Sequence, residues 1–214
     1  GVVCGRDADL VFGVEDSERF TNLDEYNARD RDSDGFVDGR STDPLVADTD
    51  GDGLIDGIEV IGWTIKVVDQ GVRHVQVRSD PGTFDTDKDG LSDADEYYVY
   101  FTNATDRDTD SDGLEDFTEV LDGFIWNGTQ YYTNASSHDT DLDGLADGEE
   151  VVDGEDQYIT HANNADSDGD GLFDGNEVLN IPRPWQGATN PLNNDTDEDG
   201  QPDGWEMQVF SVQH

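Results

Sequence analysis

The sequence predicts a repeat protein, mainly irregular, with short helices and β-hairpins strung between tandem acidic loops in an elongated array. Three observations predict it. The 214 residues carry 53 Asp and Glu against 11 Lys and Arg, a formal net charge of −42. Leu, Ile, Val and Phe make up about 22% of the chain, close to the ~20% level at which highly charged chains stay disordered. One twelve-residue acidic string recurs along the chain with its carboxylates in fixed register.

The strings DTDGDGLIDGIE, DTDKDGLSDADE, DTDSDGLEDFTE, DTDLDGLADGEE, DSDGDGLFDGNE and DTDEDGQPDGWE begin at Asp48, Asp85, Asp108, Asp139, Asp166 and Asp195. A seventh, DRDSDGFVDGRS, begins at Asp30 and ends in Ser41 where the others carry Glu. Their starts are separated by 18, 37, 23, 31, 27 and 29 residues, so the loop is fixed while its connections vary. Each complete copy satisfies D-x-[DN]-x-[DN]-G-x5-E, a calcium-loop pattern, and one accidental match in a chain of this composition has a chance of about 1%. Six in register are not accidental.

The chemistry explains the spacing. Ca²⁺ takes six to eight hard oxygens at about 2.3–2.6 Å and tolerates irregular geometry. Carboxylates at positions 1, 3 and 5 converge as the loop curls, Gly at 6 permits the sharp turn, and position 7 offers a carbonyl. Position 9 acts through water, and Glu at 12 closes the shell. The expected ligand sets are Asp48, Asp50, Asp52, Leu54, Asp56 and Glu59, then Asp85, Asp87, Asp89, Leu91, Asp93 and Glu96. The next are Asp108, Asp110, Asp112, Leu114, Asp116 and Glu119, then Asp139, Asp141, Asp143, Leu145, Asp147 and Glu150. The last two are Asp166, Asp168, Asp170, Leu172, Asp174 and Glu177, then Asp195, Asp197, Asp199, Gln201, Asp203 and Glu206. The incomplete copy offers Asp30, Asp32, Asp34, Phe36 and Asp38 and needs help from elsewhere, such as Asp43. Mg²⁺ demands stricter octahedral geometry, and Zn²⁺ calls for His or Cys that the loops lack.

The flanks are not those of paired EF-hands, which carry a helix on each side. A Thr or Ser lies six residues before each first ligand (Thr42, Ser79, Thr102, Thr133, Thr160 and Thr189), and Pro44, Pro81 and Pro191 disfavour a helix there. After the closing Glu, pairs such as Val60-Ile61 and Val120-Leu121 suffice for one apolar helical turn. Trp63 to Val77 reads as a hairpin, and so does Gly123 to Tyr132 around Asn127-Gly128. Their aromatics read as small local cores. His74, His138, His161 and His214 lack metal spacing and read as surface residues.

The charge balance excludes a direct nucleic-acid reader, and no apolar run approaches the roughly 18 residues of a spanning helix. No nucleophile–base set, phosphate-cradling loop or metalloprotease motif is present, so the chain does not read as an enzyme. Cys4, the single cysteine, forms no internal disulfide; it is inert or bridges to another chain. The sequons at Asn103, Asn127 and Asn134 are glycosylation candidates; Asn194 is less suited, because Asp195 beside it is an expected ligand.

These units resemble the bacterial and archaeal form of thrombospondin type 3 repeats, T-[DN]-P-x-x-x-D-[TS]-D-x-D-G-L-x-D-G-x-E-V, most closely over Thr42 to Val60 and Thr189 to Glu206. The resemblance spans roughly residues 15 to 207. It implies tandem calcium-stabilised, EF-hand-like loops that act as the core, with at least six Ca²⁺. It also implies a second, shared ion on acids such as Asp50, Asp52 and Glu59, completed by a linker acid such as Asp80. DSERFTNLDEY resembles a variant unit, but Arg19 and Val14 stand at its glycine and first-ligand positions, so that copy is expected to be empty. EVIGWT (Glu59 to Thr64) with its hairpin also looks like the calcium-binding domain of bacterial binary-toxin translocation subunits.

Three segments follow: 1–14, strand-like; 15–207, the repeats; and 208–214, a strand-like tail. Calcium sites of this kind suit an extracellular or cell-surface location, where calcium matches dissociation constants of about 10⁻⁴ to 10⁻³ M. The expected function is structural: a calcium-rigidified rod serving as stalk, matrix or extracellular fibre subunit. The terminal segments either pack locally or join subunits by strand addition. The alternative is a calcium-stabilised module of a larger secreted toxin, adhesin or enzyme, whose partner is a neighbouring domain.

Overall fold

Closing the acidic strings into loops organises everything around them. The computed structural model describes residues 42, 46–69, 71–152, 158–178 and 189–206. The Asp30 loop, Asp43, the variant copy upstream, Cys4, His214 and both terminal segments lie outside the described residues. Two compact units divide the rest: 42, 46–67, 71–109 and 115–117 form one, and 68–69, 110–114, 118–152, 158–178 and 189–206 the other. The division falls within the Asp108 loop.

In the first unit the Asp48 loop runs into helix α1 (Asp56–Ile61), followed by strands β1 (Trp63–Val68) and β2 (Val72–Val77). The expected hairpin is present at the expected bounds. Ile65 and Val67 point inward from β1 while Thr64 and Lys66 face out, the period-2 pattern of a half-buried strand. With Val77 and Ala104 they form the apolar cluster of the unit, flanked by Trp63 and Val75. The Asp85 loop then leads into α2 (Asp93–Asp95) and a wide turn closed by Phe101 N–H on Glu96 O at 2.7 Å.

The second unit holds the matching wide turn, Gly123 N–H on Thr118 O at 2.6 Å, then β3 (Phe124–Trp126) and β4 (Thr129–Tyr131). These strands pair antiparallel with Phe124 opposite Tyr131 and Trp126 opposite Thr129. Asn127 at φ 47° and Gly128 at φ 81° make the two-residue turn that Asn-Gly favours. Helices α3 (Asp147–Val151) and α4 (Asp174–Val178) follow their loops. Among the described residues no helix is long and apolar enough to cross a membrane.

One boundary differs from expectation. The apolar turn predicted after the closing Glu begins earlier, at loop position 9, so the last third of each described loop is already helical. Position 8 explains this: Ile55, Ser92 and Ala146 are extended (φ −84° to −87°) and serve as N-caps, and Ser92 accepts from Asp95 N–H at 3.1 Å.

Apolar burial is correspondingly small. The fully buried side chains include Glu59, Glu96, Glu119, Glu150 and Glu177 beside Leu54, Leu91, Val67 and Val77. Carboxylates occupy places that aliphatic side chains fill in ordinary domains.

Candidate metal centres

Each loop is shaped by its own carboxylates accepting backbone N–H groups. Asp48 takes Gly51 N–H at 2.7 Å and Gly53 N–H at 3.1 Å; Asp85, Asp139 and Asp166 repeat this with positions 4 and 6. At position 3, one oxygen of Asp50, Asp87, Asp141, Asp168 and Asp197 accepts the N–H of position 5 at 3.1–3.2 Å. Position 5 then accepts the N–H of position 7 at 2.6–3.0 Å, in Asp52, Asp89, Asp112, Asp143, Asp170 and Asp199. The resulting curl needs a left-handed backbone at positions 4 and 6. Gly meets this at 6 (φ 96° to 113°), whereas Lys88, Ser111, Leu142 and Glu198 adopt it at 4 (φ 60° to 66°).

These bonds leave the other carboxylate oxygens facing one another. The second oxygens of Asp50, Asp87, Asp141 and Asp168, and those of Glu59, Glu96, Glu150 and Glu177, are buried without a hydrogen-bond partner. Burial raises these acids most; each position-12 Glu is raised further by its position-3 Asp, and each position-3 Asp by the neighbouring Asp residues of its own loop. Asp50 and Asp168 rise to about 6, and Asp87 and Asp141 to about 7. Glu59 and Glu150 rise to about 9, Glu96 to about 10 and Glu177 to about 8. Burying unpaired carboxylates side by side costs free energy that a cation would offset.

The spacing passes the test of fit. Oxygens sharing one Ca²⁺ at 2.3–2.6 Å lie within about 5 Å of each other. One oxygen each from Asp48, Asp50 and Asp52 lies within 4.8 Å of the others, as for Asp85, Asp87 and Asp89, and for Asp139, Asp141 and Asp143. A further group, Asp112, Glu119 and Asp147, draws on two successive loops. Its third acid is position 9 of the following loop, where the sequence pointed to a linker acid such as Asp80. The donors are all hard oxygens. Several of these groupings could therefore hold a metal ion.

Position 9 has a role the sequence reading did not give it. Asp56 accepts Thr49 N–H at 2.8 Å and Thr49 Oγ1–H at 2.7 Å. Thr86 holds Asp93 in the same way, Thr109 holds Asp116 and Thr140 holds Asp147. The signal was present as the Thr or Ser at position 2 of every complete copy. The N–H of position 9 closes the loop on the residue before it, as Asp56 on Ala47 O at 3.0 Å and Asp174 on Ala165 O at 2.9 Å. The expected position-7 residues Leu54, Leu91, Leu114 and Leu145 bury their side chains, and Leu172 is half-buried.

Successive loops are joined by a second recurring bond. The remaining oxygen at position 5 accepts the position-10 N–H of the next loop: Asp52 from Ala94 at 2.8 Å, Asp89 from Phe117 at 3.2 Å, Asp143 from Gly175 at 2.8 Å and Asp170 from Gly204 at 2.9 Å. In the Asp195 loop that oxygen of Asp199 accepts Gln201 Nε2 at 3.2 Å, which gives a use to the one position 7 that is not Leu. The approach is close. A Cβ on Gly148, Gly175 or Gly204 would lie 2.3–2.5 Å from the carbonyl oxygen of Asp112, Asp143 or Asp170.

The linker residues are also placed. Pro81, Ala104, Ala135, Ala162 and Pro191 are buried in turns such as Thr83 N–H on Asp80 O at 2.8 Å. Of the sequons, Asn127 is exposed at a hairpin tip and Asn134 is exposed, while Asn103 is half-buried and accepts from Thr105 Oγ1 at 2.9 Å. His161 is not a plain surface residue: it stacks on Tyr131 at 4.2 Å and meets the edge of Trp126 at 5.6 Å. The hairpin built by Asn127-Gly128 folds these rings onto the linker carrying His161, a contact that spacing alone does not reveal. Among protein-family models, curated proteins and solved structures, none matches the chain.

Proposed function

We propose that the chain is a secreted or cell-surface calcium-binding structural protein of the thrombospondin type 3 kind, in which bound Ca²⁺ replaces the missing apolar interior. The observation that carries this reading is the repeated pairing of orphaned, buried carboxylate oxygens at positions 3 and 12, as in Asp87 with Glu96. Ca²⁺ supplies the positive charge these oxygens lack and accepts the irregular shell that a loop provides. Within each complete loop the acids at positions 1, 3, 5 and 12 would hold it, and position 9 would keep the loop closed. Acids from two loops, as in Asp112, Glu119 and Asp147, favour a shared ion as well.

Linkage makes the ions part of the fold: six sites, each at ten times its dissociation constant, contribute about 8 kcal/mol. A whole domain has about 5–15 kcal/mol. Ordered by its ions, the chain would act as a stalk, a matrix component or a self-associating fibre subunit. Equilibrium dialysis against radioactive calcium tests the binding, and uptake of fewer than six ions per chain refutes it. Light scattering with and without calcium tests the role. Growth of long particles supports the fibre, and a stable monomer favours the module of a larger secreted protein.

A further inference from the structure

In the calcium-loop pattern the closing glutamate offers both of its oxygens. Here one is already engaged. Glu59 Oε1 accepts from Ser79 Oγ at 2.9 Å, Glu96 Oε1 from Thr102 Oγ1 at 3.0 Å, Glu119 Oε1 from Thr133 Oγ1 at 3.0 Å, and Glu150 Oε1 from Thr160 Oγ1 at 2.9 Å. In every case the donor is the hydroxyl six residues before the next loop. Thr102 and Thr160 are themselves at most 1% exposed, and Glu96 and Glu150 are fully buried. The other oxygens of Glu59, Glu96 and Glu150 are the orphaned ones that face position 3.

We propose that the linker hydroxyls of Ser79, Thr102, Thr133 and Thr160 are positioning residues for ion binding by the loop before them. Each fixes the glutamate so that a single oxygen, Oε2, is presented to the ion. A glutamate has three side-chain torsions, and this bond sets which of its two oxygens is left for the ion. The hydroxyl belongs to the unit that follows, so the ligand shell of each loop is finished by its C-terminal neighbour. The position-5 bonds run the same way: Asp52 and Asp143 are held by N–H groups of the following loop. The groups that complete a loop's shell thus come from the unit that follows it, and any coupling they create between neighbouring sites is felt equally by both.

The inference rests on the calcium reading and is separable from it. Isothermal titration of the ion-stripped full chain with CaCl₂ compares wild type with Thr102→Val and Thr102→Ser, and with Thr160→Val and Thr160→Ser. A hydrogen bond to a charged group corresponds to about tenfold or more in affinity. Each Val variant is expected to weaken one class of site about tenfold while the number of other tight sites stays constant, and each Ser variant to restore it to within about twofold. Near-UV circular dichroism at saturating calcium confirms that the chain is folded; if one Val variant is not, the other carries the test from a separate unit. Unchanged affinity in a folded Val variant overturns the proposal, as does a Ser variant no better than Val. No calcium uptake by wild type overturns the calcium reading instead.

Discussion

Removing the ions should invert how the protein responds to pH. Glu59, Glu96 and Glu150 are fully buried, and burial together with the facing position-3 carboxylate lifts them from an ordinary 4.5 to about 9, 10 and 9. Without a cation the folded chain therefore binds these protons more tightly than the unfolded chain does. Stability is then fully present below pH 4.5 and lost as pH rises toward 9–10. From pH 4.5 to 7 each glutamate forfeits about 3 kcal/mol, and the three together on the order of 10 kcal/mol. That equals the stability of a typical domain. With Ca²⁺ bound the sign reverses, because protons must displace the ion and acidification destabilises. The assay is thermal unfolding followed by tryptophan fluorescence, using ion-stripped protein with and without 5 mM (an arbitrary, roughly saturating level) CaCl₂ at about pH 5 and pH 8. The ion-free chain should melt cooperatively only at the lower pH, and the calcium-loaded chain at a higher temperature at the upper pH. An ion-free chain that melts higher at pH 8 than at pH 5 would refute the reasoning.

Other outcomes follow from single positions. Gly175→Ala places a methyl 2.5 Å from Asp143 O, so it should destabilise the calcium-loaded chain by about 1–3 kcal/mol in urea titrations; Gly71→Ala, which meets nothing within 4 Å, should not. Leu142 is 72% exposed at φ 66°, a conformation that costs a non-glycine residue about 1 kcal/mol, so Leu142→Gly should raise the urea midpoint. Tyr131 is pushed up to about 12 by burial and by Glu150, Asp147 and Asp141, so calcium should lower the ionisation point of one tyrosine in a titration read at the phenolate absorbance band.

Much of this was legible because the informative residues lie close together in sequence. A twelve-residue loop brings its own acids together, so Asp85, Asp87 and Asp89 could be assigned without a fold. Asn127-Gly128 likewise specifies a turn by local backbone preference alone. What sequence did not reveal depends on contacts between distant segments. Thr102 and Thr160 stood out as regularly placed, but only the packed chain shows that they bond the glutamate of the preceding loop. His161 looked isolated because its partners, Tyr131 and Trp126, belong to a hairpin about thirty residues earlier. The position-2 and position-9 bond, as between Thr49 and Asp56, was visible as a pattern but not as a purpose, since the calcium-loop template assigns position 9 to water.

The recurring bonds that join one loop to the next, those of the position-5 Asp and of the closing glutamate, all lie between a linker hydroxyl and the closing glutamate of its loop. What lies outside that block varies in length. Residues 97–101 suffice between Glu96 and Thr102, while 60–78 fold as a hairpin between Glu59 and Ser79. Among the described residues the acidic block therefore recurs while the length of what joins it varies, and a foreign segment grafted at the exposed Asn127-Gly128 tip should leave the blocks on either side intact.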